Sequence, residues 1–339
     1  MSATLHDVAA RVQMHRGSVS RILSGKHKGY SEASTQRVLK AAEELGYRPN
    51  HMARSLSKGA TMLAALWVRD CNYYSPYYSY VQYFLQQQGW QRGYQLLAED
   101  PLGSVSTKQD DYRSWWPVDG ILACDMLPEG AELLQSRQGR KCPVVCVGQA
   151  GVENLDGVTF DYCAGASSAV RHLIDIGRRN IVLVAKKNSK DRRIKAYSDV
   201  LSEAGLETCR LAATNDGRQA GYEAMSEFLQ ANSKFDAIFC INDELASGCY
   251  AALQEAGVRV PEDVAIVGFD SLGSTPLLPF PISSVRIPVE QMCRVAWDLL
   301  QRRLANPLCA VEHILLPTHL EIRASSSPIA KSPEARRQF

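Results

Sequence analysis

From Met62 onward the sequence alternates short apolar runs with amphipathic stretches, and this alternation limits the fold more than any other feature. MLAALWV, YQLLA, DGILAC, PVVCVG, NIVLVA, FDAIFCIND and DVAIVGFD read as buried strands with helical patterns between them. A strand that is apolar along its whole length is covered on both faces, which is the situation of a parallel sheet flanked by helices. About ten strand candidates exceed one comfortable sheet, so the pattern predicts two doubly wound α/β lobes over residues 61–324.

The first 60 residues follow a different rule. Thr4 is a good helix N-cap with Asp7 three residues on, and Val8 and Val12 share one face. After a break at Gln13 and Met14 a second short helix brings Val19, Ile22 and Leu23 inward, and the pair with its tight turn forms a helix-turn-helix. Ser31 caps a longer helix whose Val38, Ala41, Ala42 and Leu45 lie on one side, and Gly46 stops it. The expected division is an all-α headpiece over 1–49, a linker over 50–60, the α/β body over 61–324 and a disordered tail over 325–339.

Charge supports that division. Of the 38 Lys and Arg and 36 Asp and Glu in the 339 residues, the first 60 hold ten basic and four acidic, so headpiece and linker together are +6 and the remainder −4. A small basic unit on a mildly acidic body suits a polyanion partner, because phosphate contacts supply most non-specific affinity.

Other classes are disfavoured. No apolar run approaches the roughly 18 residues of a membrane span, and the start MSATLHDVAA lacks the pattern of a signal peptide. Ten cysteines without metal spacing read as reduced thiols in a cytoplasmic chain, the CxxxC of Cys142 and Cys146 as core packing. No metal or cofactor is expected. GxGxxG, GxxxxGK[ST], HExxH and GxSxG are all absent, which argues against the common enzyme sites.

The headpiece resembles the LacI/GalR family of bacterial regulators. TLHDVAARVQMHRGSVSRILSG follows its T-x-x-D-V-A and S-V-S-R order, and ELGYRPN and ARSL complete the signature. INDELASG and DVAIVGFD extend the resemblance through a body of the periplasmic-binding-protein type. The resemblance implies that Arg16 and Gly17 read bases and that Thr4, His15, Ser18, Ser20 and Arg21 make more general DNA contacts. It also implies a hinge helix over Asn50–Ser57, with Asn50, Ala53 and Arg54 at the DNA and Leu56 as an apolar wedge in the minor groove. In the body it implies an inter-lobe effector site with Tyr77, Tyr78, Lys187, Arg193, Asn242 and Asp270.

Two departures bear on the ligand. Gly148 falls where many relatives place an acidic ligand contact, and AKKNSKDRR is basic where they are often Gly-rich. A phosphate or carboxylate held by Lys186, Lys187, Arg192 and Arg193 therefore stands beside a sugar as an expected effector. The function implied is a homodimeric, operator-binding transcriptional repressor, not an enzyme, controlled by a sugar or related metabolite. The alternatives are a solute-binding protein without regulatory role and an architectural DNA binder. Tyr80–Gly89 and Glu244–Ala256 are the expected dimer faces.

Overall fold

A computed structural model describes residues 3–25, 28–47, 60–68, 75–99, 118–125, 142–148, 152–231, 234–272 and 281–327. The chain forms two compact units, Met1–Met62 and Leu63–Phe339. The expected hinge residues Asn50, Ala53, Arg54 and Leu56 lie outside the described residues.

The first unit holds α1 (Leu5–Val12), α2 (Arg16–Leu23) and α3 (Glu32–Glu44). Thr4 and Asp7 form the capping box on α1: the Thr4 N–H donates to Asp7 Oδ2 at 2.8 Å and the Asp7 N–H to Thr4 Oγ1 at 3.4 Å. Gln13 turns the chain in the left-handed region at φ 51°. Val8, Val12, Val19, Ile22, Val38, Ala41 and Ala42 close a small core. Arg37 on α3 donates to the carbonyl of Val12, tying α3 to the end of α1. Leu45, expected in that core, is exposed, because it is the C-cap of α3 and has left the helix's inward face.

The second unit contains two six-stranded sheets. In chain order its elements are β1 (Leu63–Val68), α4 (Pro76–Gln91), β2 (Gln95–Glu99), β3 (Gly120–Cys124), β4 (Val144–Val147) and β5 (Asp156–Phe160). Then come α5 (Tyr162–Asp175), β6 (Ile181–Lys186), α6 (Arg192–Glu203), β7 (Cys209–Ala213), α7 (Arg218–Gln230), β8 (Ala237–Cys240), α8 (Asp243–Glu255) and β9 (Ala265–Asp270). The last are β10 (Ser283–Arg286), α9 (Val289–Ala305), β11 (His313–Leu316) and β12 (His319–Glu321). The first sheet runs β11-β5-β4-β3-β1-β2, parallel throughout; the second runs β12-β10-β9-β8-β6-β7, parallel except at β12. In both, the strand opening the lobe lies second from one edge, so consecutive connections leave in opposite directions and create a switch point.

The chain passes between the lobes three times, after β5, after β10 and after β11. The second passage carries α9 onto the first sheet, where it packs on α4, β3, β4 and β5. Trp297 on α9 is fully buried, donates from Nε1 to the carbonyl of Leu85 at 2.8 Å and lies so close to Gly89 that a Cβ there would fall 2.9 Å from the indole.

Two residues expected in a disordered tail, Ser325 and Ser326, are instead ordered. Ser325 and Ser326 are fully buried in a short 3-10 turn, Ala324–Ser326. The Ser325 hydroxyl donates to Ile266 O at 2.6 Å and accepts from the Ser283 N–H at 2.7 Å, while Ser326 Oγ meets His172 Nε2 at 2.8 Å. A serine-rich stretch looks like tail in sequence because its hydroxyls read as solvated; here protein groups satisfy them.

Candidate nucleic-acid interface and ligand cleft

In the headpiece, α2 presents one buried and one open side. Val19 and Ile22 face the core, His15, Arg16 and Arg21 are exposed, and Gly17, Ser18 and Ser20 lie at the margin. Short polar and basic side chains on the first turns of a helix are what base edges in a major groove require. His15 is also the N-cap, its Nδ1 accepting the Gly17 N–H at 3.2 Å. A Cβ at Gly17 would stand 3.2 Å from that same nitrogen, so the glycine leaves the imidazole room to cap. Thr4 is exposed, but its hydroxyl is engaged by Asp7 at 2.7 Å. Hydrogen bonding to Ser18 draws the Tyr30 hydroxyl below its usual pKa, with Arg21 acting in the same direction.

In the second unit a cleft of about 470 Å³ opens between the lobes, lined by residues that follow the C-terminal ends of parallel strands. This is where a doubly wound sheet offers a ligand loops with free backbone groups. Ser75, Tyr77 and Tyr78 come after β1, Asp125 after β3 and Tyr162 after β5; Lys186, Asp191 and Arg193 come from the end of β6, and Asp216, Asn242 and Asp270 from the ends of β7, β8 and β9.

Arg193 sits at the centre, in the first turn of α6. Asp191, the N-cap of that helix, accepts from Arg193 Nε at 2.8 Å and from Nη2 at 2.7 Å, and the Nη1 donates to Ile241 O at 2.5 Å. The guanidinium carbon lies 5.2 Å from the Tyr162 ring centroid and 4.8 Å from that of Phe269. Its Nη1 is 4.0 Å from Asp270 Oδ1. The pair with Asp191 is little exposed on either side, so the charges are held by geometry rather than by water.

Asp270 ends β9 with a positive φ of 115°, followed by Ser271 at 49°, two successive residues in a region that L side chains seldom adopt. Burial pushes its carboxyl well above the usual carboxylate range; Arg193 works against that, and Asp243, Asp191 and Asp125 reinforce it. Tyr77 and Tyr78 meet edge to face at 5.1 Å, and burial raises both phenols. The Tyr77 hydroxyl is buried without a partner in hydrogen-bonding geometry.

Of the six expected effector contacts, Tyr77, Tyr78, Arg193, Asn242 and Asp270 line this cleft and Lys187 does not. β6 ends at Lys186, and side chains alternate across a strand, so the neighbour that reaches the cleft is Lys186. Asn242 lines the wall, but its amide is engaged: Oδ1 accepts the Leu245 N–H at 2.7 Å as N-cap of α8, and Nδ2 donates to Asp216 O at 2.9 Å. Arg192 is exposed and also absent from the lining, so the basic loop supplies only Lys186 and the already paired Arg193. Asp125, Tyr162, Asp191 and Asp216 were not singled out in sequence. An acid directly after an apolar run, as in GILACD, was the available signal for Asp125.

The profile of bacterial regulatory proteins of the lacI family matches residues 4–50, and that of the periplasmic binding protein-like domain matches residues 170–326. The HTH-type transcriptional regulator CelR of Thermobifida fusca is 32% identical over 334 residues, 95% of this chain and 98% of that one. This chain belongs to the LacI family. The regulator AscG of Escherichia coli K12, 31% identical over 85% of the chain and 88% of its own length, is a second relative named as a transcriptional regulator. The structure of a CelR–cellobiose complex matches with a TM-score of 0.69 at 28% identity, covering 95% of this chain and 99% of that one. A lac repressor dimer bound to operator and an anti-inducer has the same fold, with a TM-score of 0.81 at 20% identity over 96% and 99% of the two chains. As a LacI-family protein the chain is a DNA-binding transcription regulator rather than an enzyme or a plain solute-binding protein. No helix among the described residues is long and apolar enough to cross a membrane.

Proposed function

We propose that this regulator represses transcription by binding a pseudo-palindromic operator as a homodimer, and that a sugar or related metabolite in the inter-lobe cleft controls that binding. One observation carries the reading: a single chain joins a folded helix-turn-helix with an open polar face on α2 to a two-lobed body whose cleft holds Arg193, Asp270 and three tyrosines. Arg donates in a fork and Asp accepts from paired hydroxyls, a set suited to a polyhydroxylated ligand. The cellobiose complex of a relative 28% identical supports that ligand class. Self-association is supported by α4, which exposes Tyr83 (54%) and Trp90 (56%), large side chains that a partner surface would cover. Arg16, exposed at the start of α2, is suited to guanine O6 and N7. The test is enrichment of bound duplexes from a randomised pool at stated salt, with half-sites about one helical turn (~34 Å) apart as the expected result. Absence of any enriched palindrome, with and without a metabolite mixture, would reject the dimeric repressor.

A further inference from the structure

Among the described residues the cleft is lined by five carboxylates, those of Asp125, Asp191, Asp216, Glu244 and Asp270, against two cations, Lys186 and Arg193. Arg193 is forked by Asp191, and Glu244 lies 3.1 Å from Arg218. Setting those two ion pairs aside leaves Asp125, Asp216 and Asp270 against Lys186 in the described lining, a smaller but remaining excess of acid.

Asp125 has a particular geometry. It follows β3 at φ 45°, and its carboxylate lies directly over Gly148 at the end of β4. A Cβ at Gly148 would stand 2.1 Å from Asp125 Oδ1 and 3.0 Å from the Tyr77 hydroxyl, and Gly148 itself has φ 88°. Any side chain at 148 would displace the carboxylate, so Asp125 occupies this part of the cleft because residue 148 is glycine. The unpartnered Tyr77 hydroxyl points into the same space.

We propose that Asp125, admitted by Gly148, sets the ligand class of the cleft: the effector carries a positively charged amine, on an amino sugar or a related polyol, seated between Asp125 of the first lobe and Asp270 of the second. The proposal rests on the cleft being the effector site. Closing the lobes expels water and brings like charges into a poorer dielectric, which a ligand ammonium offsets directly. A neutral sugar can donate hydroxyls to these carboxylates but adds no charge to offset their repulsion, and a phosphate or carboxylate adds charge of the wrong sign. A primary ammonium brings three donors, enough for the two carboxylates and the Tyr77 hydroxyl. The basic loop that made an anionic effector attractive in sequence does not reverse this balance, since Lys187 and Arg192 stand outside the described lining.

The test is calorimetric titration of the full-length chain with matched triplets: glucose, glucosamine and glucose 6-phosphate; galactose, galactosamine and galactose 6-phosphate; and cellobiose with its diamino and phosphorylated counterparts. In at least one triplet the amine should bind tenfold or more tighter than the neutral sugar, with the phosphate weakest. Asp125→Asn should remove that preference, lowering amine affinity at least tenfold more than it lowers affinity for the neutral sugar. Asn tolerates the left-handed backbone of this position, so the variant keeps the fold, which circular dichroism checks. A neutral or phosphorylated member that binds as well as the amine, or a preference that survives Asp125→Asn, overturns the proposal and leaves the effector site standing. If folded protein binds no member of any triplet, the effector-site reading fails, and this inference with it.

Discussion

Arg193 directs Nε and Nη2 at Asp191 and Nη1 at the carbonyl of Ile241, which leaves donors on Nη1 and Nη2 for a ligand. Truncating it strands a little-exposed carboxylate, so Arg193→Ala should cost ~3–5 kcal/mol in urea unfolding. Removing Asp191 as well should recover much of that loss, and simple additivity of the two changes would show that the pair is not coupled. Arg193→Lys keeps the charge but loses the fork, and ligand affinity should fall at least tenfold. Asp270 gives a pH signature. Its folded pKa lies above its unfolded value chiefly because burial disfavours the charge. The stability it contributes is full below about pH 4, the unfolded carboxylate value, and is lost as pH rises through the folded pKa. Asp270→Asn has no such loss, so its melting temperature relative to the unaltered protein should climb between pH 4 and pH 8. A constant difference across that range would show that folding does not raise the pKa of Asp270.

At the scale of elements, α1 depends on its cap. Thr4→Ala should destabilise the headpiece by ~1 kcal/mol and Thr4→Ser should restore it, read by hydrogen exchange in α1. The contact between α4 and α9 leaves no space at Gly89, so Gly89→Ala should cost ~1–3 kcal/mol through overpacking against Trp297. Six of the seven strands legible in sequence are buried along nearly their whole length; β2, expected to be buried, is a partly exposed edge strand that its short apolar run still revealed. β5, β7, β10, β11 and β12 escaped notice for separate reasons. β7, β11 and β12 lie at or beside sheet edges and are partly exposed, while β10 buries Ser283 and Ser284, whose hydroxyls meet Arg323 O and Asp243 Oδ1. Of the cleft residues that the resemblance implied, Asn242 and Asp270 lie at or just past the ends of strands legible in sequence, while Tyr77, Tyr78 and Arg193 lie in the first turns of α4 and α6. Those missed, such as Asp191 and Tyr162, are defined by what they touch, both meeting Arg193, which for Tyr162 lies 31 positions along the chain.

For the whole molecule, effector and operator affinities must change by the same factor in each other's presence, whichever sign the regulation has. Titrating operator with and without a bound sugar, then sugar with and without operator, should return one coupling constant; unequal factors would mean that the two ligands do not share one equilibrium. Operator affinity should also fall steeply with salt, as expected of a first 60 residues with six excess positive charges. The three passages between the lobes have a further consequence, for the order in which the molecule can be made. The sheet begun by residues 63–160 receives β11 only from His313–Leu316 and its covering helix only from Val289–Ala305. At ~5–20 residues per second on the ribosome, that sheet waits on the order of ten seconds with an apolar face uncovered while the other lobe emerges. The lobe that starts first therefore stays incomplete until nearly all of the other has been made, and a chain cut short before Val289 would present that face to chaperones and proteases.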